Sequence, residues 1–465
     1  MQGRICVQAL SRGRYSTPAS RLQPLIQLRH CTTRTGDWEA YLSRGNVGVP
    51  AISIEGHRGQ LSLRWNDGHT SEFSARWLKD HCPGEVNPIT RQRQVDTYSI
   101  PDELRIKHAE VTEATKMVDH QDMGQQEVRV VWEGAQGGEQ DAPGHVILEG
   151  CGESVYPLQW LREHCTSSTA RSLRSDYESL GAASPRYTWG SNVFTRPDAP
   201  VVQYEDIMSL HPENGVTSPS PSAAMAEAIR HLRVFGVLLV KGTPPTEAGA
   251  EAFAKRLGFV RHTLYGGMWA TTAEGGEEEH RDTAYTNVGL PSHTDCTYLI
   301  DPPGLQIFCC VAAATVGGES TYVDGLAVGE RLRTENPEAF EYFTRTLLQY
   351  QCFDNGCHYQ AEGPVFQLGR QGHIMQVRHN DSDRAPMDHL SNLESEEFYA
   401  HHKSLTAIIR DPGMVAHLLL QPGDMAVCDN QRVMHGRTPF EGRRRMVGCY
   451  VGRDELESAA RVHGV

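Results

Sequence analysis

Two histidines and one aspartate are the residues of this sequence best suited to metal chemistry. His293-Thr-Asp295 is followed about 140 residues later by His435, which begins the tripeptide His435-Gly-Arg437. Two imidazoles and a carboxylate can bind Fe(II) while one face of the octahedron stays open for a co-substrate and O₂. Residues i and i+2 of a strand point to the same side, so a strand through His293 and Asp295 would present both to one ion. The third ligand then comes from a distant strand.

Arg444 stands nine residues after His435, just before a strand-like run at 446–451. A guanidinium offers a planar fork of N–H donors that matches a carboxylate. An iron site beside such an arginine predicts a keto-acid co-substrate, which chelates the metal at one end and forms a salt bridge at the other. Strand alternation places Arg443 and Arg445 on the face opposite to Arg444.

Turn and strand signals surround these residues and predict a mainly β fold with flanking helices. The strands fit a double-stranded β-helix, or jelly roll, better than a parallel sheet. The segment 166–185 is predicted to be a loop, and the helices 251–258 and 336–347 are expected to support the outer face of the jelly roll. Strands are predicted within 302–308, 317–324, 425–429 and 446–451, and helices over 225–235, 246–257 (with Thr246 as N-cap), 336–348 and 394–409.

The composition of the chain excludes several classes of protein. The net charge of −14 argues against nucleic acid as the main partner. No apolar run approaches the length that spans a bilayer. The 12 cysteines are scattered without C-x-x-C spacing, which predicts reduced thiols in an intracellular compartment.

The first 36 residues differ from the rest of the chain. They contain six arginines and several Ser and Thr, and no acidic residue precedes Asp37. This composition is typical of an organelle transit peptide and predicts a mitochondrial matrix location. Three segments are therefore predicted: a presequence (1–36), a small β-rich N-terminal domain (50–185) and a jelly-roll catalytic domain (200–465). A homodimer is compatible with this organisation.

A weak internal repeat lies in the N-terminal domain. Trp77-Leu-Lys-Asp-His-Cys82 is matched by Trp160-Leu-Arg-Glu-His-Cys165, and each follows a strand, a turn and an aromatic residue.

The motifs resemble the carnitine-biosynthesis branch of the 2-oxoglutarate-dependent oxygenases, the family of trimethyllysine dioxygenase and gamma-butyrobetaine hydroxylase. The resemblance covers nearly the whole mature chain. It implies that His293, Asp295 and His435 bind Fe(II), and that Arg444 binds 2-oxoglutarate with Ser320 in support. The stretches that carry it are Tyr265–Trp269, Arg281–Thr286, His293–Tyr298, Asp429–Arg437, Gly448–Tyr450 and the region of Trp77–Cys82.

The resemblance also implies the reaction. The expected activity is hydroxylation of free N6,N6,N6-trimethyl-lysine at C3, the first step towards carnitine, with O₂ as oxidant, ascorbate as reductant and succinate and CO₂ as products. Gamma-butyrobetaine hydroxylation is the alternative within the family. A non-catalytic methyl-lysine binder and a cupin-like metal protein that uses no keto acid are alternatives from other classes.

Aromatic residues match the positions that surround a trimethylammonium group in the relatives. A quaternary ammonium has no proton to donate, so ring faces hold it by cation–π attraction. Asp282, three residues before Tyr285, is expected to bind the α-ammonium of trimethyl-lysine, and Asn380 its carboxylate. The aromatic positions are Tyr265, Trp269, Tyr285 and Tyr450.

One departure from the family concerns zinc. Gamma-butyrobetaine hydroxylase carries a structural zinc held by three Cys and one His in its N-terminal domain. Here only Cys82 stands at the matching cluster, and the matching His position is Gly152. A tetrahedral structural zinc needs four ligands, so the sequence predicts that none binds. Cys82 with Cys151 and His145 is the remaining alternative.

Overall fold

The structure, a computed structural model, describes residues 41–42, 51–55, 59–113, 126–133, 152–179, 186–209, 222–272, 283–370 and 372–465. Residues Cys31–Val465 belong to one compact unit, and the other unit, Met1–His30, lies outside the described ranges. The predicted presequence, 1–36, also lies outside them. None of the helices in these ranges is long and apolar enough to cross a bilayer. All nine cysteines in them are free thiols, as predicted.

The N-terminal part contains two three-stranded antiparallel sheets around one apolar core. The segment predicted to be a loop at 166–185 instead contains a helix, because Ser167 Oγ accepts the backbone N–H of Ala170 at 3.1 Å and caps the first turn. The strands are β1 (Ala51–Glu55), β2 (Gln60–Arg64), β3 (Thr70–Phe73), β4 (Arg105–Glu113), β5 (Gln126–Glu133) and β6 (Glu153–Pro157), and the helices are α1 (Ala75–Asp80), α2 (Leu158–Glu163) and α3 (Ser168–Ser179).

The internal repeat has a structural counterpart in α1 and α2. The Trp77 and Trp160 rings lie 5.7 Å apart. Within each repeat the histidine stacks on the tryptophan four residues earlier, His81 at 4.7 Å and His164 at 4.2 Å between ring centroids. Each histidine Nδ1 also donates to the carbonyl of that tryptophan. Cys82, the last residue of the first copy, is buried. Cys151 and His145 lie outside the described residues, so the absence of zinc stays a prediction.

The C-terminal part confirms the jelly roll. A seven-stranded sheet has the order β10-β23-β12-β20-β8-β7, with β9 also paired to β23, and a four-stranded sheet has the order β11-β21-β14-β19. All pairings are antiparallel except β7 with β8. The strands are β7 (Val201–Gln203), β8 (Val237–Lys241), β9 (Val260–Arg261), β10 (Met268–Thr272), β11 (Leu290–His293), β12 (Leu305–Ala312), β13 (Val316–Gly317), β14 (Ser320–Asp324), β15 (Leu348–Asp354), β16 (Cys357–Gly363), β17 (Phe366–Leu368), β18 (Ile374–Val377), β19 (Ala416–Leu418), β20 (Met425–Asp429), β21 (Val433–Arg437), β22 (Phe440–Glu441) and β23 (Arg445–Val451).

The helices of this part include all those predicted and others that periodicity missed. Thr246 caps its helix by accepting the backbone N–H of Gly249 at 3.1 Å, as expected. The helix predicted over 336–348 begins after Asn336, which is its N-cap, and ends earlier than predicted, at Arg345. The helices are α4 (Tyr204–Met208), α5 (Ala223–Phe235), α6 (Glu247–Leu257), α7 (Gly325–Glu335), α8 (Pro337–Arg345), α9 (Asn392–Ile409) and α10 (Arg453–His463).

Strand alternation divides the central strands β12, β20 and β23 between two environments. Ile307 and Cys449 face the core formed with α5, α6 and α10. Cys428 and Tyr450 point to the other side, towards the four-stranded sheet. The prediction that the helix at 251–258 supports the outer face is therefore confirmed for α6. It is wrong for the helix at 336–347, because α8 contacts α7, α9 and β17 instead.

A buried ion pair fixes the start of β21. Nε and Nη2 of Arg432 each lie 3.0 Å from an oxygen of Asp324, and both residues are at most 2% exposed. Arg432 also donates to the carbonyl of Val234 at the end of α5. Asp324 accepts the backbone N–H groups of Leu326, at the start of α7, and of Trp189. One pair thus joins α5, β14, α7 and the strand that carries His435.

We expect Arg432→Met to lower the free energy of unfolding by about 3–5 kcal/mol, because it leaves the buried charge of Asp324 without its cation. The matched control is Arg345→Met, whose partner Glu341 lies with it on the exposed face of α8; that change should stay within about 0.5 kcal/mol. Denaturant unfolding followed by circular dichroism measures both. Equal losses in the two variants would contradict the role of the buried pair.

Candidate active site

The predicted metal ligands are brought together by one strand pair. His293, the last residue of β11, lies directly opposite His435 of β21. Their ring centroids are 4.7 Å apart. Oδ1 of Asp295 lies 3.4 Å from Nε2 of His293 and 3.3 Å from Nε2 of His435. One ligand atom from each residue can be chosen so that all three lie within 4.8 Å of one another.

The route by which Asp295 reaches the site differs from the expectation. β11 ends at His293, so Asp295 lies in the following turn rather than in the strand. Cys296 has a φ of +54° in that turn. The side chain of Asn430 fixes the turn: Oδ1 accepts the backbone N–H of Asp295 at 2.7 Å and Nδ2 donates to its carbonyl at 3.1 Å. A side-chain clamp, and not strand alternation, therefore places this carboxylate.

Hydrogen bonding and charge prepare the site for a cation. Nδ1 of His293 donates to the carbonyl of Pro291 at 2.7 Å, which directs Nε2 towards Asp295. Burial alone would lower the pKa of His293, but the hydrogen bond and charge of Asp295 raise it to about 9. Burial also opposes ionisation of Asp295, yet His435 and His293 hold the pKa of its carboxyl well below the ordinary value. The two nitrogens and the oxygen suit a divalent first-row transition metal.

One cavity of about 370 Å³ contains the predicted site residues. Asp282 lies outside the described residues, so its expected role stays a prediction. The predicted residues that line the cavity are Tyr265, Trp269, Tyr285, His293, Asp295, Ser320, Asn380, His435, Arg444 and Tyr450.

Arg444 is a buried cation that has no anionic partner among the residues that the structure describes. Its residue is 6% exposed, whereas Arg443 and Arg445 are exposed, as strand alternation predicted. Burial lowers the pKa of its guanidinium. The rings of Phe308 and Phe440 lie 5.9 and 5.7 Å from its central carbon, and no described carboxylate forms an ion pair with it. The fork is therefore available to an anion that enters the cavity.

Aromatic rings form one wall of the cavity. The Trp269 ring lies 5.4 Å from that of Tyr450 and 5.2 Å from that of Phe308. Trp269 is opposite Gly448 in the β10–β23 register, and a Cβ on Gly448 would come within 2.6 Å of the indole. The hydroxyls of Tyr265 and Tyr298 are 3.4 Å apart. The absence of a side chain at Gly448 therefore lets the indole lie across β23.

Ser320 and Asn380 reach the cavity from different elements. Ser320 is a buried residue of β14, opposite Arg437 of β21. Asn380 lies in a turn in which its Oδ1 accepts the backbone N–H of Ser382 at 2.9 Å. Its amide nitrogen has no protein partner among the described residues, so it can donate to a bound ligand.

The cavity is also lined by residues that sequence reasoning did not assign to the site, and three of them lie beside the predicted ones. Gln306 and Phe308 are alternate residues of β12 and face the cavity with Tyr450. Tyr298 follows the turn of Asp295 and is 3% exposed. A signal did exist for Gln306, because it is a polar residue near the start of an otherwise apolar strand that is buried on both faces.

Comparison with known proteins agrees with this geometry. Residues 204–450 match the family described as taurine catabolism dioxygenase TauD, TfdA family. Residues 52–138 match the family described as gamma-butyrobetaine hydroxylase-like, N-terminal.

Curated relatives match over most of their length. Mitochondrial trimethyllysine dioxygenase of Gallus gallus is 28% identical over 88% of this chain and 87% of its own. Trimethyllysine dioxygenase of Neurospora crassa is 30% identical over 82% of this chain and 78% of its own. Gamma-butyrobetaine dioxygenase of Pseudomonas sp. (strain AK-1) is 27% identical over 88% of this chain and 95% of its own.

We expect Gly448→Ala to displace the Trp269 indole and to lower the free energy of unfolding by about 1–3 kcal/mol through overpacking. Tryptophan emission and denaturant unfolding measure the two effects. Gly152→Ala is the control, because a Cβ there meets no atom within 4 Å. An unchanged emission spectrum and stability in Gly448→Ala would show that the ring does not depend on this glycine.

Proposed function

The chain belongs to the TauD/TfdA family of dioxygenases, and we propose that it uses Fe(II), 2-oxoglutarate and O₂ to hydroxylate free trimethyl-lysine at C3, with ascorbate as reductant. The observation that supports this most is the content of one cavity. A metal-binding triad, a buried arginine that has no carboxylate partner in the described part of the chain and a wall of aromatic rings all line it. A methyl-lysine-binding module needs only the last of these three.

The metal would be held by His293, Asp295 and His435. Bound there, Fe(II) would supply the redox chemistry that activates O₂, which no side chain can do. The protein contributes placement: Pro291 orients one imidazole, and Asn430 holds the backbone of Asp295. His435 is buried and His293 and Asp295 are half-buried, which limits the contact of the reacting centre with bulk water.

Arg444 would bind the remote carboxylate of 2-oxoglutarate through its fork of N–H donors, with the hydroxyl of Ser320 in support. The argument rests on charge. A buried guanidinium that forms no ion pair with any described residue is stabilised most by an anion that enters from the cavity. A dicarboxylic keto acid offers one carboxylate to the arginine and keeps the other end for the metal.

The aromatic wall would bind the trimethylammonium group of the substrate. Tyr265, Trp269, Tyr285 and Tyr450 present rings to a cation that cannot form hydrogen bonds. Asn380, whose amide nitrogen is available, would donate to the substrate carboxylate. Asp282 would bind the α-ammonium that distinguishes trimethyl-lysine from gamma-butyrobetaine.

The organisation of the chain fits a mitochondrial enzyme. The relative from Gallus gallus is named as mitochondrial, and residues 1–36 have the composition of a presequence. We propose a matrix location, with 50–185 as the small N-terminal domain and 200–465 as the catalytic domain.

Each of His293→Ala, Asp295→Ala and His435→Ala should reduce turnover to background. The metal would have only three protein ligands, so the loss of one weakens its binding and changes its coordination geometry. Succinate release and binding of Mn(II) to the metal-depleted protein are the measurements. The exposed His417 provides the control, since His417→Ala removes an imidazole that pairs with Glu319 and does not line the described cavity. Near-normal turnover in Asp295→Ala would refute the triad.

Arg444→Lys should raise the Michaelis constant for 2-oxoglutarate by about tenfold or more, and that for trimethyl-lysine far less, because the charge stays while the fork is lost. Arg445→Lys is the matched control, because Arg445 is the exposed first residue of β23. Steady-state kinetics with each substrate varied in turn give both constants. A large effect in Arg445→Lys with none in Arg444→Lys would move the assignment to the neighbouring residue.

We expect the purified protein to add one oxygen atom to trimethyl-lysine in preference to gamma-butyrobetaine. Parallel incubations with the two compounds, analysed by mass spectrometry, measure the products. The α-ammonium gives trimethyl-lysine one more charged group to recognise. Omission of 2-oxoglutarate is the control and should abolish the product. A preference for gamma-butyrobetaine would support the activity named for the Pseudomonas relative, and binding without product would support a methyl-lysine-binding protein.

A further inference from the structure

The carboxylate of Asp295 has two oxygens with different surroundings. Oδ1 faces both imidazoles, at 3.4 Å from Nε2 of His293 and 3.3 Å from Nε2 of His435. Oδ2 accepts two hydrogen bonds from residues of the seven-stranded sheet. One comes from the hydroxyl of Tyr450 at 2.9 Å, and the other from the side-chain amide of Gln306.

The two donors come from adjacent strands. Gln306 of β12 lies directly opposite Tyr450 of β23, so both side chains reach Asp295 from the same face. The amide nitrogen of Gln306 also lies 2.8 Å from Nε2 of His435. Its oxygen accepts the thiol of Cys428, 3.7 Å away on β20, which fixes the orientation of the amide. Three neighbouring strands thus determine the rotation of one carboxylate.

We propose that Tyr450 serves two functions with separate parts of its side chain: its ring forms part of the aromatic wall, and its hydroxyl, together with Gln306, positions Asp295. With Oδ2 held by two donors, only Oδ1 is directed to the metal. A carboxylate that binds through one oxygen occupies one coordination position and leaves the others to the co-substrate and O₂. Tyr450 and Gln306 are positioning residues for this ligand, and the ring function rests on the function proposed above.

The test separates the hydroxyl from the ring. In the full chain, Tyr450→Phe keeps the ring and removes only the donor to Oδ2. The dissociation constant for Mn(II), measured by calorimetric titration of metal-depleted protein, should rise by about tenfold. The Michaelis constant for trimethyl-lysine at saturating metal should change by less than about threefold, because the cation–π surface remains. The visible absorption of the anaerobic complex of protein, Fe(II) and 2-oxoglutarate should also shift.

The matched control is Tyr265→Phe, which removes another hydroxyl from the same cavity, one that lies near Tyr298 and not Asp295. Its dissociation constant for Mn(II) should stay within about twofold of the wild-type value. Gln306→Leu removes the second donor to Oδ2 and should weaken Mn(II) binding as Tyr450→Phe does. It also provides the test if Tyr450→Phe does not fold, as judged by circular dichroism.

Three outcomes distinguish this inference from the proposed function. Weaker Mn(II) binding in Tyr450→Phe and Gln306→Leu, but not in Tyr265→Phe, supports the positioning role. Wild-type affinity in the two variants, or an equal loss in all three, overturns it and leaves the metal site intact. Unchanged Mn(II) binding in His293→Ala overturns the metal site itself.

Discussion

The active site and the two sheets that form it depend on one constraint: the half-buried carboxylate of Asp295 must stay charged. A buried carboxylate is stable as an anion only when cations or N–H and O–H donors surround it. Here two imidazoles face one oxygen, a phenol and an amide face the other, and Asn430 binds the backbone. The two sheets must therefore meet at a fixed distance, because the imidazoles belong to one sheet and the phenol and amide to the other.

The distance between the two sheets is maintained by residues that lie outside the active site. Alternation along β12, β20 and β23 sends one set of side chains into the helix-covered core and the other into the cavity. The buried pair of Arg432 and Asp324 then links β21 to the ends of α5 and α7. The site is thus supported by apolar packing behind one sheet and by an ion pair beside the other.

Much of this follows from sequence because it rests on residue type and spacing. The types and spacing of His293, Asp295, His435 and Arg444 predict a metal site beside a carboxylate-binding arginine. Thr246, an N-cap residue type, predicts the start of α6. What escaped prediction depends on long-range contacts. The turn of Asp295 is fixed by Asn430, 135 residues away. Gln306 stands out as a polar residue in an apolar strand, but its role depends on the β12–β23 register that places it opposite Tyr450. The helix α3 was hidden because Ser-rich composition is shared by loops and capped helices.

The buried charge of Arg444 also makes the stability of the fold depend on the concentration of its ligand. A ligand that binds the native chain and not the unfolded one adds RT ln(1 + [L]/Kd) to the free energy of unfolding, about 2.7 kcal/mol at a hundredfold excess over Kd. A dicarboxylate that binds Arg444 would therefore stabilise the native state against unfolding. The resistance of the protein to heat and proteolysis would then rise and fall with the concentration of that small molecule.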